Sequence, residues 1–467
     1  MVQQLTAPSG CGLRRKEEGP VNCQPSSLPL RITNDKRESG AEGKTVIRAE
    51  GVTKIFGPDP ESVLPLVEQG KTKSEIQAQT GHVLGISNAS FELRPGEVFC
   101  IMGLSGSGKS TLIRCINRLI EPTSGKIYLV DEQHGEREIT GMDANELREL
   151  RKHDMSMVFQ HFALFPHRTV LSNVIYGLEI QGRERKESER IGQEVLELVG
   201  LGQWSHSYPH ELSGGMQQRV GLARGLATEA KVLLMDEPFS ALDPLIKVNM
   251  QQELMRIQDE LQRTILFITH DLDEAMRIGD HIAIMDDGEI VQIGTPEEIL
   301  VNPRTEYVAN FVEHADPTGV LTAGTIARPL GSTDFEWVGE ADGLKLFARR
   351  GEPDIRFGID PDGRLGKVYS GEQAIQLRDL HEVLERPDTE ERPERRSDLA
   401  LHCDEGTVLR DLLRGRSHAT LPTIVTAADG RLRGIIDEPD LINGILEKRG
   451  QGETPEQYAG ESRAETG

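Results

Sequence analysis

The chain has 467 residues, of which 28% are charged and 37% hydrophobic, a composition typical of a folded protein with two or three domains. Its formal net charge of -23 argues against docking on nucleic acid or on anionic lipid, because both would repel it. No segment approaches the ~18 consecutive apolar residues of a membrane-spanning helix, and the five cysteines show neither CxxC spacing nor a disulfide framework, which favours the reducing cytoplasm.

The first 317 residues divide into two parts by composition. Residues 1–44 are rich in Ser, Pro, Gly and charge and lack an apolar period, so we expect a disordered N-terminal extension. Between residues 45 and 317, short Val/Ile/Leu strands alternate with amphipathic helical segments. This alternation predicts an α/β nucleotide-binding domain, with a helical subdomain at about 160–228.

A different pattern begins after Pro317. Residues 318–448 consist of short strands with Gly turns, and a charged stretch between Glu385 and Arg396 divides them into halves of about 318–385 and 397–448. We therefore expect a second domain of paired α+β modules. Residues 449–467 are polar, acidic and rich in glycine, which predicts a loose tail.

The strongest functional signal is a glycine-rich loop that follows the apolar strand Val98–Met102 and opens an amphipathic helix. Glycines let successive backbone N–H groups face a phosphate, and the helix N-terminus adds partial positive charge. We expect Lys109 to bind the β- and γ-phosphates of ATP and the Ser110 hydroxyl to bind Mg²⁺. The residues of this candidate phosphate loop are Gly103, Leu104, Ser105, Gly106, Ser107, Gly108, Lys109, Ser110 and Thr111.

Two adjacent carboxylates end a second apolar strand, Lys231–Met235. Open α/β sheets bind ligands at the carboxyl ends of their strands. We therefore expect Asp236 to hold Mg²⁺, directly or through water, and Glu237 to act as general base on the attacking water. Taken alone, a solvated acidic pair at a strand end is an equally good interpretation.

The segment Leu212–Arg219, with two glycines just before a helix, makes the interpretation specific. It resembles the signature of ATP-binding cassette (ABC) proteins and precedes Asp236 at the usual distance. In that family the signature, here Ser213, Gly214 and Gly215, contacts the γ-phosphate held by the opposite subunit. The resemblance therefore implies a P-loop ABC ATPase fold, a RecA-like core plus helical subdomain, and a head-to-tail homodimer with two composite ATP sites.

Three more residues match the family in order. Gln160 follows the strand Met155–Phe159, Asp243 lies in a loop after Glu237, and His270 follows the strand Thr264–Thr269. The resemblance implies that Gln160 contacts the metal and the attacking water, that His270 holds the γ-phosphate, and that Asp243 couples the two sites. A lone Gln or His after a strand is more often a satisfied polar residue, so these roles depend on the ordered series.

Phe56, near the end of the first strand, is the candidate for stacking on adenine, with burial in the core as the alternative. Between Phe56 and the phosphate loop lies an insertion at about Glu61–Gly81, which predicts a short helix with Leu64, Leu66 and Ile76 on an apolar side. This insertion, the run Asn117–Thr123 and Met216 resemble the ATPases of glycine betaine/proline betaine importers.

That resemblance implies a subunit that powers uptake through a separate integral membrane permease, fed by an extracytoplasmic substrate-binding protein, at the cytoplasmic face of the membrane. Glycine betaine is the expected solute, with choline, carnitine, proline or another amino-acid-like solute as the alternative. A non-transport ABC ATPase is the alternative of a different class. Aromatics in Val158–His167, Phe162 and Phe165, would either receive a permease helix or pack within the helical subdomain.

Importers of this kind often carry paired cystathionine-β-synthase (CBS)-type modules, and the C-terminal region resembles them. The second copy has a strand pair around the Asp429-Gly430 turn and a helix starting at Pro439; the first has a fainter pair around Asp362-Gly363. Where these modules usually contact a nucleotide through Ser or Thr, this chain has Asp437. Sensing of ionic strength and a purely packing role both remain open.

Overall fold

The computed structural model describes residues 45–131, 135–160, 163–240, 242–330, 334–384 and 395–447. The extension at 1–44, the acidic tail and most of the charged stretch at 385–396 lie outside the described residues, as do His161, Phe162 and Ala241.

The secondary structure of the described residues between 45 and 316 follows the predicted alternation. The strands are β1 (Ile47–Phe56), β2 (Val83–Leu93), β3 (Val98–Met102), β4 (Ser124–Asp131), β5 (Gly135–Glu138), β6 (Met155–Val158), β7 (Val232–Asp236), β8 (Thr264–Ile268), β9 (His281–Asp286) and β10 (Glu289–Gly294). The helices are α1 (Leu64–Glu68), α2 (Lys73–Thr80), α3 (Lys109–Ile116), α4 (Ala144–His153), α5 (Val170–Val174), α6 (Tyr176–Gln181), α7 (Arg185–Leu198), α8 (Gly214–Ala227), α9 (Pro244–Leu261), α10 (Leu272–Ile278), α11 (Pro296–Val301) and α12 (Glu306–Val312).

A sheet in the order β10-β9-β3-β8-β7-β6 forms the centre of this part, with every neighbouring pair parallel except β10 with β9. Parallel sheets need apolar cover on both faces. Alternate residues of β3 supply it: Val98, Cys100 and Met102 pack into one buried cluster, and Phe99 and Ile101 into another. The α/β fold predicted for this part of the chain is confirmed.

Strand direction places the candidate chemistry at one edge. Because β3, β6, β7 and β8 are parallel, their carboxyl ends meet there, and the residues that follow each strand become neighbours. A second, antiparallel sheet in the order β2-β1-β4-β5 packs on the same apolar cluster as one face of the central sheet. Helices α5 to α8 pack on one another beside β6.

The remaining elements form a second region. They are α13 (Ala323–Ile326), β11 (Arg328–Pro329), β12 (Phe335–Ala341), β13 (Leu344–Arg349), β14 (Glu352–Ile359), β15 (Leu365–Ser370), β16 (Gln373–Ala374), β17 (Gln376–Asp379), α14 (Leu380–Leu384), β18 (Leu399–Asp404), α15 (Leu409–Gly415), β19 (Thr423–Thr426), β20 (Leu432–Ile436) and α16 (Glu438–Glu447). One sheet has the order β11-β20-β19-β18-β17, and the other is an antiparallel series from β12 to β16.

The two halves of this region, expected to be alike, differ. The second half has the expected strand pair, β19 and β20, followed by α16. The strand pair of the first half, β14 and β15, lies instead in the antiparallel sheet. Tight turns explain the difference, since Gly343, Gly351 and Gly363 adopt positive φ between successive strands and leave no room for a connecting helix.

Cysteines of the described part behave as inert core residues. Cys100, Cys115 and Cys403 are buried and unpaired. Burial raises the pKa of Cys115 and Cys403 to about 12, so both remain neutral thiols.

A buried ionic cluster joins the two C-terminal sheets. Arg328 on β11 donates to Asp440 over 2.6 Å, and Arg349 on β13 donates to Asp437 over 2.5 Å. Asp437 directly precedes α16 and Asp440 lies in its first turn, and the two residues are 8% and 2% exposed. The position where a nucleotide-binding module would offer a hydroxyl therefore carries a carboxylate already engaged by arginine.

Asp440 gives this region a pH dependence. Burial raises the pKa of Asp440 from 3.8 to about 6, so the folded chain holds this proton where the unfolded chain has lost it. The contribution of Asp440 to stability therefore decreases as the pH rises through that window. We expect the difference in melting temperature, wild type minus Asp440→Asn, to become smaller as the pH is raised from about 4 to about 6.5, which is approximately the interval between the unfolded and folded pKa values of Asp440. Asp429→Asn, in an exposed turn, is the control, and a pH-independent difference would contradict this assignment.

Candidate nucleotide site

The loop between β3 and α3 packs closely against the backbone of neighbouring segments. Gly103, Gly106 and Gly108 have φ of 149°, 85° and 104°. A Cβ added at Gly108 would lie 2.3 Å from the Gly85 carbonyl oxygen, and one at Gly103 would lie 2.1 Å from that of Met285. Only glycine fits such close approaches, so sequence and packing together fix a curled loop.

Lys109 is held inside this loop. Its side chain is buried, and Nζ donates to the carbonyl oxygens of Gly103 over 2.8 Å and Leu104 over 2.9 Å. Burial lowers the pKa of Lys109, while Glu237 and Asp236 act in the opposite direction. The neighbouring Ser107 hydroxyl is buried without a protein partner in the described part of the chain, which leaves a polar group for a ligand to satisfy. Ser105 and Gly106 are exposed, and Thr111 is half-buried.

Ser110 and Asp236, predicted to hold the metal, lie in contact. The Ser110 hydroxyl donates to Asp236 Oδ1 over 2.8 Å, and Asp236 is 1% exposed. Its other oxygen accepts from Arg114 over 2.9 Å. Arg114 was missed in the sequence analysis, although its spacing of four from Ser110 puts both on one face of α3. A hydroxyl and a carboxylate side by side are oxygen donors that fit Mg²⁺.

Glu237, Gln160 and His270 meet beyond the ends of β6, β7 and β8. Glu237 Oε2 lies 3.4 Å from Gln160 Nε2 and 3.1 Å from His270 Nδ1. The backbone of Glu237 has φ of 48°, a left-handed conformation that costs a non-glycine residue about 1–3 kcal/mol and is concentrated at functional sites. The structure therefore brings all three predicted catalytic residues together.

A polar network surrounds Thr269 and Asp271, the chain neighbours of His270. The buried Glu274 carboxylate accepts from Thr269 and, over 3.0 Å, from Gln251. Lys247 donates to Asp271 over 2.6 Å. Burial acts to raise the pKa of Asp271, but the Lys247 ammonium and the Glu274 N–H, which both donate to this carboxylate, together with the neighbouring His270 outweigh it, and the net shift is downward. Nothing in the sequence pattern singled out this network, whose members come from α9, from α10 and from the segment between β8 and α10.

The signature residues Ser213, Gly214 and Gly215 lie at the start of α8, outside the phosphate loop. Ser213 caps α8 by accepting from the Met216 N–H over 3.4 Å, and Asp243 caps α9 by accepting from the Ile246 N–H over 3.1 Å. A Cβ at Gly215 would lie 2.8 Å from Ile246, so the two capped ends are neighbours. Among the described residues, no hydrogen bond joins Ser213, Gly214 or Gly215 to the phosphate loop.

Phe56 is exposed, not buried in the core as the alternative had it. Its side chain is 39% exposed, and its ring lies against Gly85, the residue whose carbonyl oxygen also approaches Gly108. A flat ring is therefore presented beside the phosphate loop. Lys54 Nζ lies 5.2 Å from the ring centre on the same strand.

Phe165 belongs to a partly exposed aromatic cluster beside the helical elements. Its ring packs edge-on against Tyr176 with centroids 4.7 Å apart, and the Arg168 guanidinium lies 5.7 Å from its centre. Phe165 is half-buried, so it packs against its neighbours and is still partly accessible.

Comparison with known proteins extends these observations. The family model described as ABC transporter matches residues 86–240. The chain is 46% identical over 403 residues to the glycine betaine transport ATP-binding protein OpuAA of Bacillus subtilis (strain 168), covering 85% of this chain and 92% of that relative. It is 46% identical over 405 residues to the glycine betaine/carnitine transport ATP-binding protein GbuA of Listeria monocytogenes serotype 1/2a (strain 10403S), covering 85% and 97%.

A third relative has a higher identity over a shorter stretch. The glycine betaine/proline betaine transport system ATP-binding protein ProV of Escherichia coli (strain K12) is 52% identical over 282 residues, covering 60% of this chain and 69% of that relative.

Proposed function

The chain belongs to the family of ABC transporter ATP-binding proteins, and we propose that it hydrolyses ATP to power uptake of a quaternary-ammonium osmolyte of the glycine betaine type. The observation that carries the chemistry is the position of Glu237, which lies between Gln160 and His270 and directly follows Asp236. This grouping supports phosphoryl transfer to water, a reaction that needs positioning and charge stabilisation more than covalent help.

Each residue has a distinct task in this proposal. Lys109 binds the β- and γ-phosphates, with the backbone N–H groups of the loop beside it. Glu237 accepts the proton of the attacking water, which Gln160 orients. His270, fixed by its contact with Glu237, donates to a γ-phosphate oxygen, and Phe56 stacks on adenine.

Mg²⁺ fits the donor set of this site. Ser110 and Asp236 would hold the ion, with Gln160 completing its surroundings, and the hydrogen bond between the first two shows that their oxygens are close enough to share one small cation. When bound, Mg²⁺ neutralises phosphate charge. Arg114, donating to the other oxygen of Asp236, keeps that carboxylate oriented.

A second copy of the chain would complete the site. Ser213, Gly214 and Gly215 start a 14-residue helix whose first N–H groups suit an anion, yet they make no hydrogen bond to the phosphate loop among the described residues. A head-to-tail homodimer would place this helix start on the γ-phosphate of the partner. Asp243, capping the adjacent helix, would then lie at the same interface.

Transport requires a membrane partner. In the residues that the structure describes, no helix is both long and apolar enough to cross a bilayer. We assign the solute path to a separate permease, supplied by an extracytoplasmic substrate-binding protein, with this chain at the cytoplasmic face. The aromatic cluster around Phe165 is the proposed contact for the permease.

The solute assignment derives from the relatives, whose names specify glycine betaine, carnitine and proline betaine. Carnitine, choline and proline are the alternatives. The chain should be produced with the permease and binding protein of its system, and uptake of labelled glycine betaine measured against unlabelled competitors. We expect glycine betaine and proline betaine to compete most strongly. Glycine, which lacks the quaternary ammonium, is the control, and equal competition by glycine would contradict the assignment.

A further inference from the structure

The insertion between β1 and β2 is a packed element of the fold. It forms α1 and α2, and its Val63 and Ile76 are buried against Ile55 and Leu84 of the flanking strands. The capping box of Thr72 and Glu75 fixes the first turn of α2. None of its residues has a task in the reaction described above.

Lys73, the first residue of α2, reaches from this insertion to the phosphate loop. Its Nζ donates to the carbonyl oxygen of Gly106 over 3.1 Å and lies 3.7 Å from Asp287 Oδ1 in the turn between β9 and β10. The Lys73 side chain is 24% exposed, so water screens this contact only in part. One ammonium thus links the insertion, the phosphate loop and a neighbouring turn.

The turn between β9 and β10 also forms a hydrogen bond with Ser107, the next residue of the phosphate loop. Gly288 N–H donates to the Ser107 carbonyl oxygen over 3.1 Å, and Ser87 N–H donates to the Gly288 carbonyl oxygen over 2.8 Å. Two successive loop carbonyls, of Gly106 and Ser107, are therefore held from outside. With those carbonyls held outward, the alternating peptide groups can direct N–H groups inward to a phosphate.

We propose that Lys73 is a positioning residue for nucleotide binding, which keeps the phosphate loop in its binding conformation through the Gly106 carbonyl. This inference rests on the proposed function of the loop. Gly106 has positive φ and a Cβ there would meet nothing within 4 Å, so side-chain packing does not restrain this residue, while the Ser107 N–H of the same peptide donates to the Leu104 carbonyl oxygen over 3.2 Å within the loop. The hydrogen bond from Lys73 restrains the other end of that peptide from outside before the ligand arrives, which raises affinity by preorganisation. The effect falls on ATP and ADP alike and leaves the chemical step unchanged.

The test compares Lys73→Met with Lys71→Met in the full chain. Lys71 lies in the same insertion but pairs with Glu75 over 3.6 Å, away from the loop. We expect Lys73→Met to raise the Kd for ATP and for ADP roughly fivefold, the order expected for one partly screened charged contact. The value of kcat should stay within about twofold of wild type, because binding and chemistry respond separately. Lys73→Arg should restore affinity, and Lys71→Met should match wild type.

Three outcomes overturn the inference: unchanged Kd values in Lys73→Met, an equal loss in Lys71→Met, or a loss of kcat at unchanged Kd. Failure of the proposed function is distinguishable, because wild type itself would then bind no ATP, and Lys109→Met would have no effect. Wild-type binding with an unaffected Lys73→Met contradicts only the role of Lys73.

Discussion

Replacement of Glu237 by glutamine is expected to lower ATP turnover by about 10²- to 10⁴-fold while preserving ATP binding. Glutamine keeps the shape of the side chain but cannot accept the proton of the attacking water. The contacts of Glu237 with Gln160 and His270 are made by one carboxylate oxygen, and the amide oxygen of glutamine can take its place. The fold should therefore be intact. Steady-state phosphate release, with binding of a fluorescent ATP analogue in parallel, measures both quantities.

Glu229→Gln is the matched control. Glu229 precedes β7, has positive φ like Glu237, and pairs at the surface with Arg183 over 2.8 Å. We expect its turnover to equal that of wild type. Turnover of Glu237→Gln within about tenfold of wild type would remove Glu237 from the role of general base, since such catalysis contributes at least about 10²-fold.

The same variant tests the composite site. If Ser213–Gly215 of one copy bind the γ-phosphate held by another, ATP that is not hydrolysed should hold two copies together. Size-exclusion chromatography of Glu237→Gln should therefore show a dimer in ATP and a monomer in ADP. A monomer at saturating ATP would contradict the head-to-tail arrangement.

Lys109→Met is expected to weaken ATP binding by about 100-fold or more, because loss of a buried charge-assisted contact costs on the order of 2–5 kcal/mol. Lys109 is 4% exposed and already lies within the loop, so no other cation of that loop replaces it. Titration of ATP into the full chain measures the Kd. Lys126→Met removes an exposed lysine paired with Glu138 and should leave the Kd unchanged.

The outcome that contradicts this role is a Kd for Lys109→Met close to that of wild type. A melting curve recorded without nucleotide separates loss of binding from loss of fold. We expect the melting curves of Lys109→Met and wild type to be similar, because methionine retains most of the apolar stem of the lysine.

The local part of the site was predictable from sequence because strand direction and glycine spacing are local signals. The end of β3 leads into the loop, and the ends of β7 and β8 place Glu237 and His270 at one edge. A parallel sheet converts residues more than 30 positions apart into neighbours. Which residues at those strand ends take part was indicated by the resemblance to the ABC family, because a lone Gln or His after a strand is a weak signal.

Contacts between non-adjacent elements were not predictable in the same way. Lys73 reaches Gly106 across 33 positions, and Lys247 reaches Asp271 across 24, with no periodic pattern that marks either pair. Long, flexible side chains make such contacts, and their direction depends on packing that a sequence pattern does not contain. Arg114 is the exception, since helical spacing alone aligns it with Ser110.

The first C-terminal half shows a different limit. A strand, a Gly turn and a second strand occur both in a β-hairpin of an antiparallel sheet and in the strand pair of an α+β module. The sequence around Gly363 satisfies both, and the short turns on either side decide for the antiparallel sheet. Pairing partners outside the hairpin therefore determined the fold of this half.

In the proposed function, ATP hydrolysis at Glu237 drives solute uptake. The most direct measurement is uptake of labelled glycine betaine into vesicles that contain the permease, the binding protein and this chain, with ATP supplied on the side of the chain. We expect accumulation that requires ATP and is abolished when Glu237→Gln replaces wild type. Wild-type hydrolysis of ATP without uptake of glycine betaine or any related quaternary amine would contradict it.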